Sequence, residues 1–107
     1  MKRTVRFAVA LAGFACSVSI ACVAQSTGEA IYKQKCLNCH GLDGLANSGV
    51  GKVMKVKPVT DAEVRKMTEA EMVQATRNGI GKMEPYKNNL TDSQTRAVVA
   101  YFRTFLK

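Results

Sequence analysis

The stretch KCLNCHG, residues 35–41, holds two of the chain's four cysteines and, at position 40, its single histidine. Three chemistries use Cys-x-x-Cys beside a histidine: a metal knuckle, a redox dithiol, and covalent attachment of a haem. Each needs different surroundings, and the rest of the sequence separates them.

A structural zinc site takes four cysteine or histidine ligands, usually as two separated pairs. Beyond residue 24 the chain has Cys36, Cys39 and His40 and no other cysteine or histidine, so zinc would depend on carboxylates. A thioredoxin-type dithiol expects a strand before the motif, within a βαβ unit. Helical pattern precedes this one, and no alternating strand run occurs anywhere. Cys-x-x-Cys-His in an exported chain is the attachment motif of c-type haem. Two cysteines three apart reach the two vinyl groups on one side of the porphyrin as thioethers, and the adjacent histidine is held beneath the iron. The motif therefore reads as one covalent haem c, with its iron, on Cys36, Cys39 and His40.

Export is legible at the N-terminus. MKRTVR carries Lys2, Arg3 and Arg6, and FAVALAGFACSVSIACVA follows without a charge. A positive n-region before an apolar h-region is a secretory signal. Small residues at Cys22 and Ala24 suit cleavage before Gln25, giving a leader over 1–24 and one domain over 25–107. Two alternatives stay open. The run also reaches the lower limit for a membrane anchor, and SIAC is similar to a lipobox that would lipidate Cys22. All three place the domain outside the cytoplasm, in the periplasm of a bacterium, free or anchored on the outer side of the membrane.

Cleavage removes three of the basic residues and no acidic one, so the net charge falls from +8 to +5. It also leaves 83 of the 107 residues, near the size where a protein-only core becomes marginal. A large covalent cofactor would supply the missing core.

Helical signals account for most of the remaining chain. STGEAIYKQK is expected to open a helix on a Ser26–Glu29 capping box. Residues 41–60, with four glycines and Pro58, read as loop with a helical turn near Gly51–Lys55. DAEVRKM reads as a short helix begun by Asp61. TEAEMVQATRNG has Thr68 and Glu71 as a capping box and Gly79 as a terminator. GIGKMEPYKNN is loop. TDSQTRAVVAYFRTFLK is capped by Thr91 and Gln94, and Val98, Tyr101, Phe102 and Phe105 form a stripe at i, i+3, i+4 and i+7. The fold class is all-α.

The sixth position on the iron decides what such a haem does. Thioether ligation raises the potential and suits an electron carrier. Met67 and Met72 fall in or beside helical pattern, where packing is the ordinary role. Met54 lies in the long loop. Met83 lies in the non-helical NGIGKMEPY, where irregular backbone can direct a side chain at the iron, and is the preferred ligand.

From Gly28 to Leu106 the sequence resembles the small monohaem class I cytochromes c of bacterial respiratory chains. GEAIYKQKCLNCHGLDG carries that family's glycine and aromatic, Gly28 and Tyr32, before the first haem cysteine. CHGLDG matches its C-H-G-x-D-G run, and GKMEPYKNNLTDSQTRAVVAYFRTF is similar to its methionine loop and last helix. The resemblance implies a small cytochrome c fold of three to four helices around one haem. It implies Cys36 and Cys39 as attachment points, His40 as proximal and Met83 as distal iron ligand, and Gly28 and Tyr32 crossing Val98 and Tyr101. It also implies that Pro58 offers its carbonyl to the second nitrogen of His40, fixing the ring. One departure stands out: Glu84 replaces the proline that usually follows the methionine, and proline arrives at position 85.

The implied function is one-electron transfer without catalysis, between respiratory redox proteins. Lys33, Lys35, Lys52, Lys55, Lys57, Lys82 and Lys87 fall in segments expected around the haem. With two propionates the domain would keep about +3, enough to steer encounter with an acidic face on an oxidase, reductase or dehydrogenase. The alternative is a sensor or peroxidase-like haem with a displaceable methionine. A peroxidase-type site would want a distal acid–base histidine, and none remains. No nucleic-acid recognition module is present, and the domain reads as a monomer.

Overall fold

A computed structural model describes Gly13 and residues 20–107, with side chains from Thr27 onward. The expected leader lies outside the described residues up to position 19. Among the described residues there are six helices and no strand, and none of the helices is long and apolar enough to cross a membrane.

Helix α1 runs Ile20–Lys35. It passes through Ser26 without a break, so the expected helix start at that residue is not found in the full chain. The physical reason is local: residues 20–25 contain no glycine or proline and include two alanines, the strongest helix former, so the helix propagates upstream. Glu29, expected in a capping box, instead accepts from Lys33 Nζ at 2.5 Å, one helical turn on.

Helix α2, Leu37–His40, follows after a break at Cys36. Helix α3 covers Gly49–Val53, two residues earlier than expected, because Ser48 caps it by accepting the Gly51 amide at 2.9 Å. The other starts fall where their signals stand. Asp61 caps α4, Ala62–Lys66, by accepting the Glu63 amide. Thr68 and Glu71 form a reciprocal capping box on α5, Glu69–Asn78, and Gly79 ends it. Thr91 and Gln94 do the same for α6, Asp92–Arg103. Each cap satisfies backbone N–H groups that the first helical turn leaves without partners.

The organising contact is the crossing of α1 and α6. A side chain on Gly28 would place its first carbon 2.1 Å from the Ala97 carbonyl oxygen and 3.0 Å from the Tyr101 Cβ. The glycine thus rests on the Ala97 peptide. One turn later Tyr32, 1% exposed, stacks tilted on Tyr101 at 5.4 Å between centroids and edge-on to Phe105 at 5.5 Å. Ile31, Tyr32, Leu90 and Val98 make the buried cluster, and Tyr86, Tyr101, Phe102 and Phe105 pack around it. α5 joins α6 through Met72, and Arg103 donates to the Met67 carbonyl at the α4–α5 junction. Gly28→Ala is expected to destabilise the holoprotein by about 3 kcal/mol or more, since the backbone carbonyl cannot yield as a side chain would. A thermal melt should show a fall in Tm of roughly 10–20 °C.

Candidate functional site

Cys36 begins a single turn of helix. The amides of Cys39 and His40 both donate to the Cys36 carbonyl, at 3.2 and 2.9 Å, and Gly41 donates to Leu37 at 2.8 Å. Positions i, i+3 and i+4 of one helical turn share a face, so Cys36, Cys39 and His40 are presented together. Three contacts hold this turn in place. The Cys36 amide donates to Tyr32 on α1 at 2.9 Å, and the buried Tyr32 hydroxyl donates to the Gly41 carbonyl at 2.6 Å, closing the motif from behind. On the other side, Ser48 Oγ donates to the Asn38 carbonyl at 2.7 Å. Gly51 lies so close beneath the motif that a Cβ there would sit 2.4 Å from the Cys39 carbonyl oxygen.

The chemistry of the donors separates the three readings again. Cys36 and Cys39 are free and half-buried, and burial pushes the Cys36 thiol up to about 11. A redox dithiol needs the opposite shift, toward thiolate. Among the described residues, no group of three or more His, Cys, Asp or Glu side chains converges as a metal-ion site. His40 packs edge-on against Phe102, 5.5 Å between centroids, and burial lowers its pKa, favouring the neutral imidazole that binds iron. Its Nδ1 is buried without a hydrogen-bond partner. A buried ring nitrogen lacking a partner is costly, and no protein group among the described residues meets that cost. Two free thiols, a neutral imidazole and a thioether fit haem c.

Pro58 lies half-buried in the loop that leads into α4. Its carbonyl accepts the Asp61 amide at 2.9 Å, and His40 Nδ1 has no bond to it. The helix start at Asp61, three residues on, takes that carbonyl into a turn.

Met83 sits in a tight reversal. Its amide donates to the Ile80 carbonyl at 2.9 Å and its carbonyl accepts the Ile80 amide at 3.2 Å, closing a turn over Gly81 and Lys82. The segment after it is fixed to the end of α5, where Tyr86 and Lys87 donate to the carbonyls of Thr76 and Arg77. Those carbonyls would otherwise lack partners at the helix C-terminus. Tyr86 then reaches toward the haem motif: its ring packs on the buried cluster of Ile31, Tyr32, Leu90 and Val98, as Cys36 and Leu37 do, and its hydroxyl lies 3.4 Å from the Lys35 carbonyl. The methionine loop and the cysteines are thereby joined through one side chain. Sequence reasoning passed over Tyr86, although an aromatic three residues beyond the methionine was the available signal. The other candidate, Met54, is half-buried at the end of α3. Met72 is buried at 5% exposure, as a packing residue, and Met67 closes α4.

Apolar side chains stand exposed in the segments flanking these residues: Leu42 at 71%, Val53 at 77% and Ile80 at 58%. Of the seven lysines, Lys33 pairs with Glu29 and Lys57 with Glu63. Lys35, Lys52, Lys55, Lys82 and Lys87 are exposed.

Comparison with known proteins agrees with this architecture. Residues 23–102 match the family model described as cytochrome c oxidase, cbb3-type, subunit III. Among solved structures, the KustC0563 c-type cytochrome is 30% identical, with a TM-score of 0.68 over 75% of this chain and 98% of that one. A tyrosine-to-phenylalanine mutant of Kustc0563 gives 28% identity and a TM-score of 0.66, over 74% and 98%. A search of curated proteins gives no match. The helical fold and the Cys-x-x-Cys-His turn define a small class I c-type cytochrome, a class whose general role is electron transfer on covalently bound haem c. Within that class, the chain belongs to the family of cbb3-type cytochrome c oxidase subunit III.

Proposed function

We propose that this protein is an exported one-electron carrier with a single haem c, exchanging electrons with membrane-bound respiratory partners. The observation that carries the reading is the turn at 36–40, which presents two thiols and a half-buried imidazole, its pKa lowered by burial, on one face. Cys36 and Cys39 would hold the group as thioethers, and His40 and Met83 would be the residues that ligate its iron. Haem c supplies an Fe(III)/Fe(II) couple. The protein's part is to keep His40 and Met83 in place through Tyr32, Ser48 and the turn over Gly81–Lys82, so that little would rearrange when charge changes. Thioether ligation tunes the couple upward.

A spectrum of the oxidised protein tests the reading. The weak long-wavelength iron–sulfur charge-transfer band requires methionine ligation. Its absence in the wild type would favour an open-iron sensor or peroxidase-like protein. The mass of the mature protein tests haem number, cleavage before Gln25 and lipidation of Cys22 together.

The exposed lysines support docking to an acidic partner, and the family's description supports an oxidase as one such partner. Charge reversal at Lys55, Lys82 and Lys87 to Glu is expected to slow electron exchange with a membrane partner about tenfold or more at low salt. Raising ionic strength should narrow the gap between mutant and wild type, because screening weakens steering in both. Rates that do not respond to salt would leave those lysines as ordinary solvated residues.

A further inference from the structure

The loop after Met83 departs from the pattern in which proline follows the ligand directly, and the structure holds that loop by other means. Tyr86 has its backbone amide on the Thr76 carbonyl, at 3.0 Å, and its own carbonyl accepts the amides of Asn89 and Leu90, both at 2.9 Å. Its ring packs against the central cluster, as Cys36 and Leu37 do. So placed, its hydroxyl stands 3.3 Å from Glu84 Oε1 and 3.4 Å from the Lys35 carbonyl. These acceptors come from opposite sides of the site. Glu84 is the residue directly after Met83, and Lys35 is the residue directly before Cys36. The single phenolic proton can be given to either acceptor.

We propose that Tyr86 is a positioning residue for Met83, its hydroxyl coupling the methionine loop, through Glu84, to the end of α1 where the haem motif starts. The proposal rests on the reading of Met83 as the distal ligand. Opening of the loop, which any external ligand of the iron must await, separates Glu84 from the hydroxyl. The restraint therefore acts on the opening step and hardly at all on the packed core. Burial raises the Tyr86 hydroxyl to about 12, with Glu84 the next cause, so it stays a donor across the working range.

Stopped-flow binding of imidazole to the oxidised holoprotein tests this, with the charge-transfer band recorded for each variant. Tyr86→Phe is expected to keep the band and the wild-type urea midpoint within error, and to bind imidazole about three- to tenfold faster, as loss of one such hydrogen bond implies. Glu84→Ala should accelerate binding comparably, and Glu84→Gln, which keeps an acceptor, should restore a rate near wild type. The double variant Tyr86→Phe/Glu84→Ala should be no faster than the faster single one, because the two changes break one interaction. Wild-type rates in Tyr86→Phe, or accelerations that multiply in the double variant, overturn the positioning role. If Tyr86→Phe does not accumulate as holoprotein, the contrast between Glu84→Ala and Glu84→Gln decides alone. Met83→Ala in the same series separates the failures. If it keeps the band, the ligand reading is wrong and the proposal falls with it. If it loses the band while Tyr86→Phe behaves as wild type, only the positioning role is wrong.

Discussion

Met83→Ala is expected to leave the haem covalently attached and the fold intact while abolishing the iron–sulfur charge-transfer band. Cys36, Cys39 and His40 are untouched by the change, and their turn is held by hydrogen bonds of Tyr32 and Ser48 to Gly41 and Asn38, which do not involve Met83. The turn itself is closed by main-chain bonds between Ile80 and Met83, which alanine preserves. What is lost is a soft sulfur donor. Water or hydroxide in its place favours the oxidised iron, so the reduction potential should fall by about 0.2 V, a fraction of the roughly 0.8 V that axial ligands command. Cyanide should bind at least tenfold faster, because no internal ligand has to leave first, and weak peroxidase activity is expected. Met54→Ala is the control and should change none of these. If the band disappears in Met54→Ala and survives in Met83→Ala, the sixth ligand comes from the end of α3.

Replacing both Cys36 and Cys39 by Ala should have the largest effect on the protein as a whole. Haem should become fully extractable by acidic organic solvent, and most of the helical signal in far-ultraviolet circular dichroism should be lost. The reason is the size of the core. Among the described residues only Ile31, Tyr32, Ala46, Val59, Met72, Leu90, Ala97, Val98 and Val99 are buried apolar side chains, and two of these are alanines. A protein-only core of this kind leaves a domain of this length near zero net stability. A double variant that stays helical without haem would show that the α1–α6 crossing at Gly28 suffices by itself.

The parts of the fold that were legible in the sequence are those whose cause is local. Thr68 with Glu71, Thr91 with Gln94, and Asp61 cap helices through bonds spanning two or three residues, and all three begin where the pattern placed them. The apolar stripe of α6 was equally readable, with Val98 buried and Tyr101, Phe102 and Phe105 packed on the same cluster. Ser26 misled for a related reason. A capping pattern is only a helix start if the chain before it is not already helical, and Ile20–Gln25 is. Cleavage before Gln25 would restore Ser26 to a position near a helix start.

Pro58 depends on more than its neighbours in sequence. A carbonyl's partner depends on where the loop runs, and here the turn into α4 brings the Asp61 amide to it before any histidine. The crossing at Gly28 was expected, and Tyr101 lies in it as the pattern implied, while the nearest atoms belong to the Ala97 carbonyl, because a helix presents backbone where a neighbour comes that close.

The sequence by itself determined the class of this protein, because its signature is contiguous. Cysteines three apart with a histidine next to the second fit one turn of helix, and one turn of helix needs no tertiary information to place all three on a face. Only the tertiary structure decided how that turn is held and what joins it to Met83. Tyr32 reaches Gly41 across the motif, His40 meets Phe102 of the last helix, and Tyr86 meets the Lys35 carbonyl 51 residues earlier in the chain. Those contacts follow from the paths of loops between helices, and a loop's path is set by packing of the whole domain rather than by the residues along it.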